Sequence, residues 1–119
     1  MVVSHASALP FYEASTWGQP LVECDVTRED GRTGRKEAGV RQHRGRILEG
    51  DVVVRHGVRV MSGTRTALEV TATAPLEPAF VAVSDLLRLG HTSVEGLKHR
   101  YASGIDRWEG TLATDLILR

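Results

Sequence analysis

The chain has a single cysteine, Cys24, among 119 residues. One thiol makes no internal disulfide and no multi-cysteine zinc site, which excludes a disulfide-built secreted scaffold. No apolar run approaches the roughly 18–20 residues that a membrane-spanning helix needs. Net charge is also missing, because 15 Lys and Arg balance 15 Asp and Glu. The start, Met1-Val2-Val3-Ser4-His5, has no basic opening followed by an apolar stretch, so no secretory leader is read there. These absences lead to the expectation of a soluble cytoplasmic protein. What is present is ordinary. Apolar residues are 41% and charged residues 25%, close to the globular average, so neither disorder nor a coiled coil is favoured. The length suits one domain with a modest core.

The neutral total is a cancellation. Between Arg28 and Arg46, seven basic residues (Arg28, Arg32, Arg35, Lys36, Arg41, Arg44, Arg46) face only Glu29, Asp30 and Glu37, a local charge of +4. The remainder carries 8 basic and 12 acidic residues, or −4. Such asymmetry marks a candidate anion or nucleic-acid surface. The plainer reading is a solvated strand pair with an Arg-rich turn. No aromatic residue lies in the segment, which removes the stacking platform of single-strand binders. Phosphate contact without base readout is the most it supports.

Periodicity gives an α+β outline. Ser4 to about Ala14 reads as a short helix with Ser4 as N-cap, interrupted by Pro10. In Leu21 to Thr27, Val22, Cys24 and Val26 alternate with Glu23, Asp25 and Thr27, a half-buried strand with Cys24 on its apolar face. A second strand is expected over Val40 to Arg44. Val52-Val53-Val54, His56-Gly57 and Val58 to Met61 read as a hairpin, with Gly57 suited to a positive φ. Ser62 can cap a helix to about Ala74, ended by Pro75, although its Thr and Val residues also permit a strand. A clearer helix follows, with Ala79, Phe80, Val83, Leu86 and Leu87 at helical spacing, Pro78 in its first turn and Gly90 just past its end. Thr92-Ser93-Val94-Glu95 has capping-box spacing and opens a helix that stops at Gly104. A last helix would begin near Asp106 and set Trp108, Leu112 and Leu116 on one face. It runs to Arg119 without a stop signal, so both ends read as cuts through a longer design.

Chemistry is sparse in this pattern. Gly31-Arg32-Thr33-Gly34-Arg35-Lys36 lacks both the glycine spacing and the hydroxyl after Lys of a phosphate loop. His5, His43, His56, His91 and His99 show no helical zinc spacing. A thiol on an apolar strand face is inert. Glu23 and Asp25 suit a cation or, more simply, a solvated strand edge. Nothing in the sequence assembles a nucleophile, base and orienter.

Several stretches together resemble the middle region of bacterial AbiEi-type antitoxin-like proteins. They are Val3 to Ala8, Val26-Thr27-Arg28, Gly39-Val40-Arg41-Gln42-His43-Arg44, the Asp51 to Val60 hairpin, Met61-Ser62-Gly63-Thr64-Arg65-Thr66-Ala67-Leu68-Glu69, and Pro75 to Gly90. In that family the region often lies between a winged helix and a very-short-patch-repair-like endonuclease domain. Met61 and Gly63 replace the usual Thr and Pro, and Glu69 stands where Asp is common. The metal constellation of the nuclease is missing here, so nuclease activity does not carry over. The resemblance makes Ser62 to Ala74 a helix and puts Arg65 near its start. A cation there opposes the helix dipole, so Arg65 should find a carboxylate, Glu69 four residues on or Asp51 across the sheet.

The combined expectation is one antitoxin-like α+β domain over residues 1–119. A small, mostly antiparallel sheet of three or more strands would fill its N-terminal half, with three to four helices behind. It would be non-catalytic, hold no cofactor or metal, and stay off membranes. Its partner would be a cognate toxin, another protein or the DNA backbone. Candidate contact residues are Arg28, Arg32, Arg35, Lys36, Arg41, His43, Arg44, Arg46 and Arg65. The alternative is a structural remnant or subunit that acts only with a separate winged-helix or nuclease part.

Overall fold

A computed structural model describes residues 1–19, 23–28, 38–43 and 46–103. The valine-rich runs form the expected hairpin of β4 (Val52–Arg55) and β5 (Val58–Met61), paired antiparallel from Val52↔Met61 to Arg55↔Val58. His56 and Gly57 both take positive φ, 52° and 75°, the condition for a two-residue turn whose twist matches the strands. The other strands are β1 (Val2–Val3), β2 (Cys24–Thr27) and β3 (Val40–His43). They complete a five-stranded sheet in the order β3-β2-β1-β5-β4.

This sheet is mixed, not mostly antiparallel. β1 runs parallel to β5, and β2 runs parallel to β3. Parallel pairing excludes a tight hairpin turn between β2 and β3. The intervening residues 29–37 lie outside the described part. β1 has two residues, too few to leave a period-two signal, yet it joins the two halves of the sheet through Val3↔Val26 and Val3↔Val60.

The first predicted helix is a 3-10 helix, His5–Tyr12, containing Pro10. Ser4 stands at its cap position without capping it, because its hydroxyl is engaged by Thr27 and His5. Helix α1 (Gly63–Thr73) begins as expected, with Ser62 Oγ accepting from the Arg65 N–H, and ends in extended Ala74 before Pro75. Helix α2 (Leu76–Arg88) carries Pro78 in its first turn. Its end is closed by Gly90 at φ 79°, with Gly90 N–H on Leu87 O and His91 N–H on Leu86 O.

Helix α3 (Val94–Ser103) is capped by Ser93, whose Oγ accepts from Gly96 N–H. The cap is therefore one residue later than predicted, and with Gly96 at the third helical position it forms no capping box. Thr92, read as the cap, instead bonds Thr64 at 2.7 Å. The predicted helix carrying Trp108, Leu112 and Leu116 falls outside the described residues.

Leu9, Val60, Leu68, Leu86 and Leu97 form the centre of the core. Phe80 does not join them. It is 59% exposed, on the outer side of α2. At the other end of α2 the turn into α3 presses on α1. A Cβ built on Gly63 would lie 2.3 Å from the His91 carbonyl oxygen. Gly63→Ala should therefore cost about 1–3 kcal/mol by overpacking. Helix propensity alone points the other way, with a gain of up to about 1 kcal/mol from Ala. A urea titration of the variant gives the sign.

Candidate functional site

Position 65 decides how the basic residues are read. Arg65 faces inward from the first turn of α1, and its side chain is 4% exposed. Its Nη1 donates to Asp51 Oδ2 at 2.8 Å and to the Arg46 carbonyl at 2.6 Å. Its Nε donates to Glu69 Oε2 at 3.2 Å. Both expected carboxylates thus hold it. Arg100 of α3, which sequence reasoning missed, adds a fork on Asp51 with two donors at 2.8 Å. The result is a buried cluster that ties α1 and α3 to the segment entering β4.

A second polar group lies at β2 and β3. The strand places Asp25 inside and leaves Cys24 exposed, the reverse of the predicted facing for both. The reason is hydrogen bonding. Asp25 accepts from Ser7 Oγ at 3.3 Å and meets His43 Nε2 at 2.9 Å, so its burial leaves the carboxylate satisfied. Arg41 bonds Glu23 at 3.3 Å and lies 3.8 Å from Asp25. His43 stacks on His5, and the His5 backbone N–H donates to Glu69 Oε1. The two groups therefore meet through His5.

The electrostatics follow the packing. Burial raises the Asp25 carboxyl, but the His43 hydrogen bond and the neighbouring cationic groups, Arg41 among them, prevail, and its pKa falls below the ordinary value. Asp51 behaves alike: burial is outweighed by Arg100, the Leu48 N–H and Arg65. Glu69 goes the other way. Burial raises it despite Arg65 and the His5 N–H.

The geometry does not make a catalytic triad of Ser4, His5 and Glu69. Ser4 Oγ and Glu69 both approach the same ring nitrogen, Nδ1, so the imidazole cannot relay a proton between them. Ser4 is also fully buried. Ser7, Asp25 and His43 put the carboxylate in the middle, which leaves the hydroxyl without a base. Among the described residues no group of three or more His, Cys, Asp or Glu could hold a metal ion.

Of the nine predicted contact residues, Arg28, Arg41, His43, Arg46 and Arg65 are described, while Arg32, Arg35, Lys36 and Arg44 are not. Arg41 and Arg46 reach the surface, Arg28 and His43 are half-buried, and Arg65 is internal. Exposed large apolar side chains occur in several places, Val54 of β4 (67% exposed) among them. Leu76 (44% exposed) and Phe80 (59%) stand one turn apart on α2, and Trp17 (59%) precedes Gly18, which closes on Pro78 of the same helix. No protein-family model matches the chain, and no characterised protein or solved structure matches it significantly. No helix among the described residues is long and apolar enough to cross a membrane.

Proposed function

We propose that this chain is a non-catalytic, antitoxin-like interaction module that binds a protein partner in the bacterial cytoplasm, in a toxin–antitoxin or phage-defence setting. The supporting observation is the outer face of α2, where Leu76 and Phe80 are exposed one turn apart. Large apolar side chains grouped at one place on a surface suit protein contact. A non-catalytic role is supported by the buried carboxylates, histidines and Arg65, which bond to one another inside the fold. DNA phosphates are the second partner to consider, because Arg41 and Arg46 remain at the surface, though Arg41 already bonds Glu23. A subunit role beside a separate winged helix or nuclease would use the same α2 face.

The test is a binding titration between this chain and the protein encoded beside it. Leu76→Asp with Phe80→Asp should weaken the complex at least about tenfold, since both positions are apolar anchors. Thermal unfolding should stay close to the wild type. Unchanged affinity would remove α2 as the site. A duplex shift that is lost in Arg41→Glu and weakens steeply between about 50 and 200 mM salt would instead favour phosphate binding.

A further inference from the structure

His5 and His43 come from distant parts of the chain, yet their rings stack with centroids 3.7 Å apart and planes 19° apart. From β2 and β3, Asp25 lies 2.9 Å from His43 Nε2, with Arg41 beside it. From α1, Glu69 Oε2 lies 3.8 Å from His5 Nδ1, with Arg65 behind it. His5 Nδ1 is also 2.9 Å from Ser4 Oγ. Thr27 Oγ1 already donates to that oxygen, which leaves Ser4 its own proton to give to His5. Ser4 Oγ has a second lone pair as well, so it can either donate to a bare Nδ1 or accept from Nδ1–H.

We propose that the His5–His43 stack is an acid-sensitive latch: with His5 neutral it pins β1 and the 3-10 helix onto β2, β3 and α1, and protonation of His5 releases them. Protonation puts a full charge on a ring that is 12% exposed and stacked 3.7 Å from a second imidazole. Arg65 and Arg41 lie nearby. Asp25 and Glu69 favour that charge, but they already serve His43 and Arg65. Burial, followed by His43, Arg65 and Arg41, outweighs Asp25 and lowers the His5 pKa from 6.5 to about 3. The direction of the effect follows. An opened segment takes up the proton near 6.5, whereas the closed one does so only near 3. Stability of the closed form is full above 6.5 and is lost as the pH falls from 6.5 toward 3. Because the 3-10 helix packs on α1, release would uncover an α1 surface that is otherwise hidden.

The test is hydrogen exchange of the full chain, corrected for the intrinsic pH dependence of exchange. Peptides from residues 1–14 should open about thirtyfold more often at pH 5 than at pH 7.5, the ratio set by linkage between 6.5 and about 3. They should also exchange faster than α2 at pH 5. In His5→Asn this pH dependence should vanish. Should that variant fail to fold, the His5 ring signal of the wild type, followed by NMR, should not titrate between pH 7.5 and 5. The latch is overturned by pH-independent protection of residues 1–14, by full pH dependence in His5→Asn, by residues 1–14 opening only together with α2, or by a His5 ring that titrates near 6.5 in the intact protein.

Discussion

Arg65→Ala should lower the unfolding free energy by about 3–5 kcal/mol, the usual cost of leaving a buried charge without its partner. Two carboxylates lose their shared cation at once. Asp51 keeps Arg100, whereas among the described residues Glu69 keeps the His5 backbone N–H and the more distant His5 ring. The Arg46 carbonyl loses a donor as well. Since a small domain has only about 5–15 kcal/mol of stability in total, the variant should be partly unfolded near room temperature or melt far below the wild type. Urea unfolding followed by circular dichroism at neutral pH measures the loss. The size of the effect also separates two roles for this arginine. An arginine kept for an external anion stands in water and costs little to remove. One that neutralises two interior carboxylates cannot be removed cheaply.

Leu86→Ala and Phe80→Ala on the same helix should differ by several kcal/mol. Leu86 is fully buried in the core, so truncation loses its transfer free energy and leaves a cavity, about 2–5 kcal/mol. Phe80 is 59% exposed, and its truncation should change stability by no more than about 0.5 kcal/mol. Periodicity alone puts both on the core stripe. Paired urea titrations of the two variants give the comparison. Equal losses would mean that Phe80 is covered within the chain, and the α2 face would lose its case as an interaction surface.

These residues also show where sequence reading succeeds. The β4–β5 hairpin, the Ser62 cap, Pro78 in the first turn and the Gly90 stop are all legible because each depends on neighbours within a few residues. The Arg65–Glu69 pair was legible for the same reason, as an i,i+4 contact on one helix. Asp51 could be named because a cation at a helix start demands compensation. Arg100 could not, because it arrives from 49 residues beyond Asp51 through the packing of α3 on α1. Asp25 misled the strand reading for a related reason. Alternation assigns a carboxylate to solvent unless its partners are known, and Ser7 and His43 each lie 18 residues away. The parallel pairings of β1 with β5 and of β2 with β3 left no local mark at all. The basic segment was read correctly as charge, but not as bonding, since Arg41 turns to Glu23 and Asp25.

A double-mutant cycle at Arg65 and Asp51 tests most directly whether the buried charges hold the fold together. Arg65→Ala, Asp51→Ala and the double variant would be unfolded in urea beside the wild type. If the two side chains stabilise each other in the interior, the double variant should lose less than the sum of the singles, with a coupling energy of about 1–3 kcal/mol. Strictly additive losses, or an Arg65→Ala variant as stable as the wild type, would contradict a structural role and return Arg65 to the residues available for a partner.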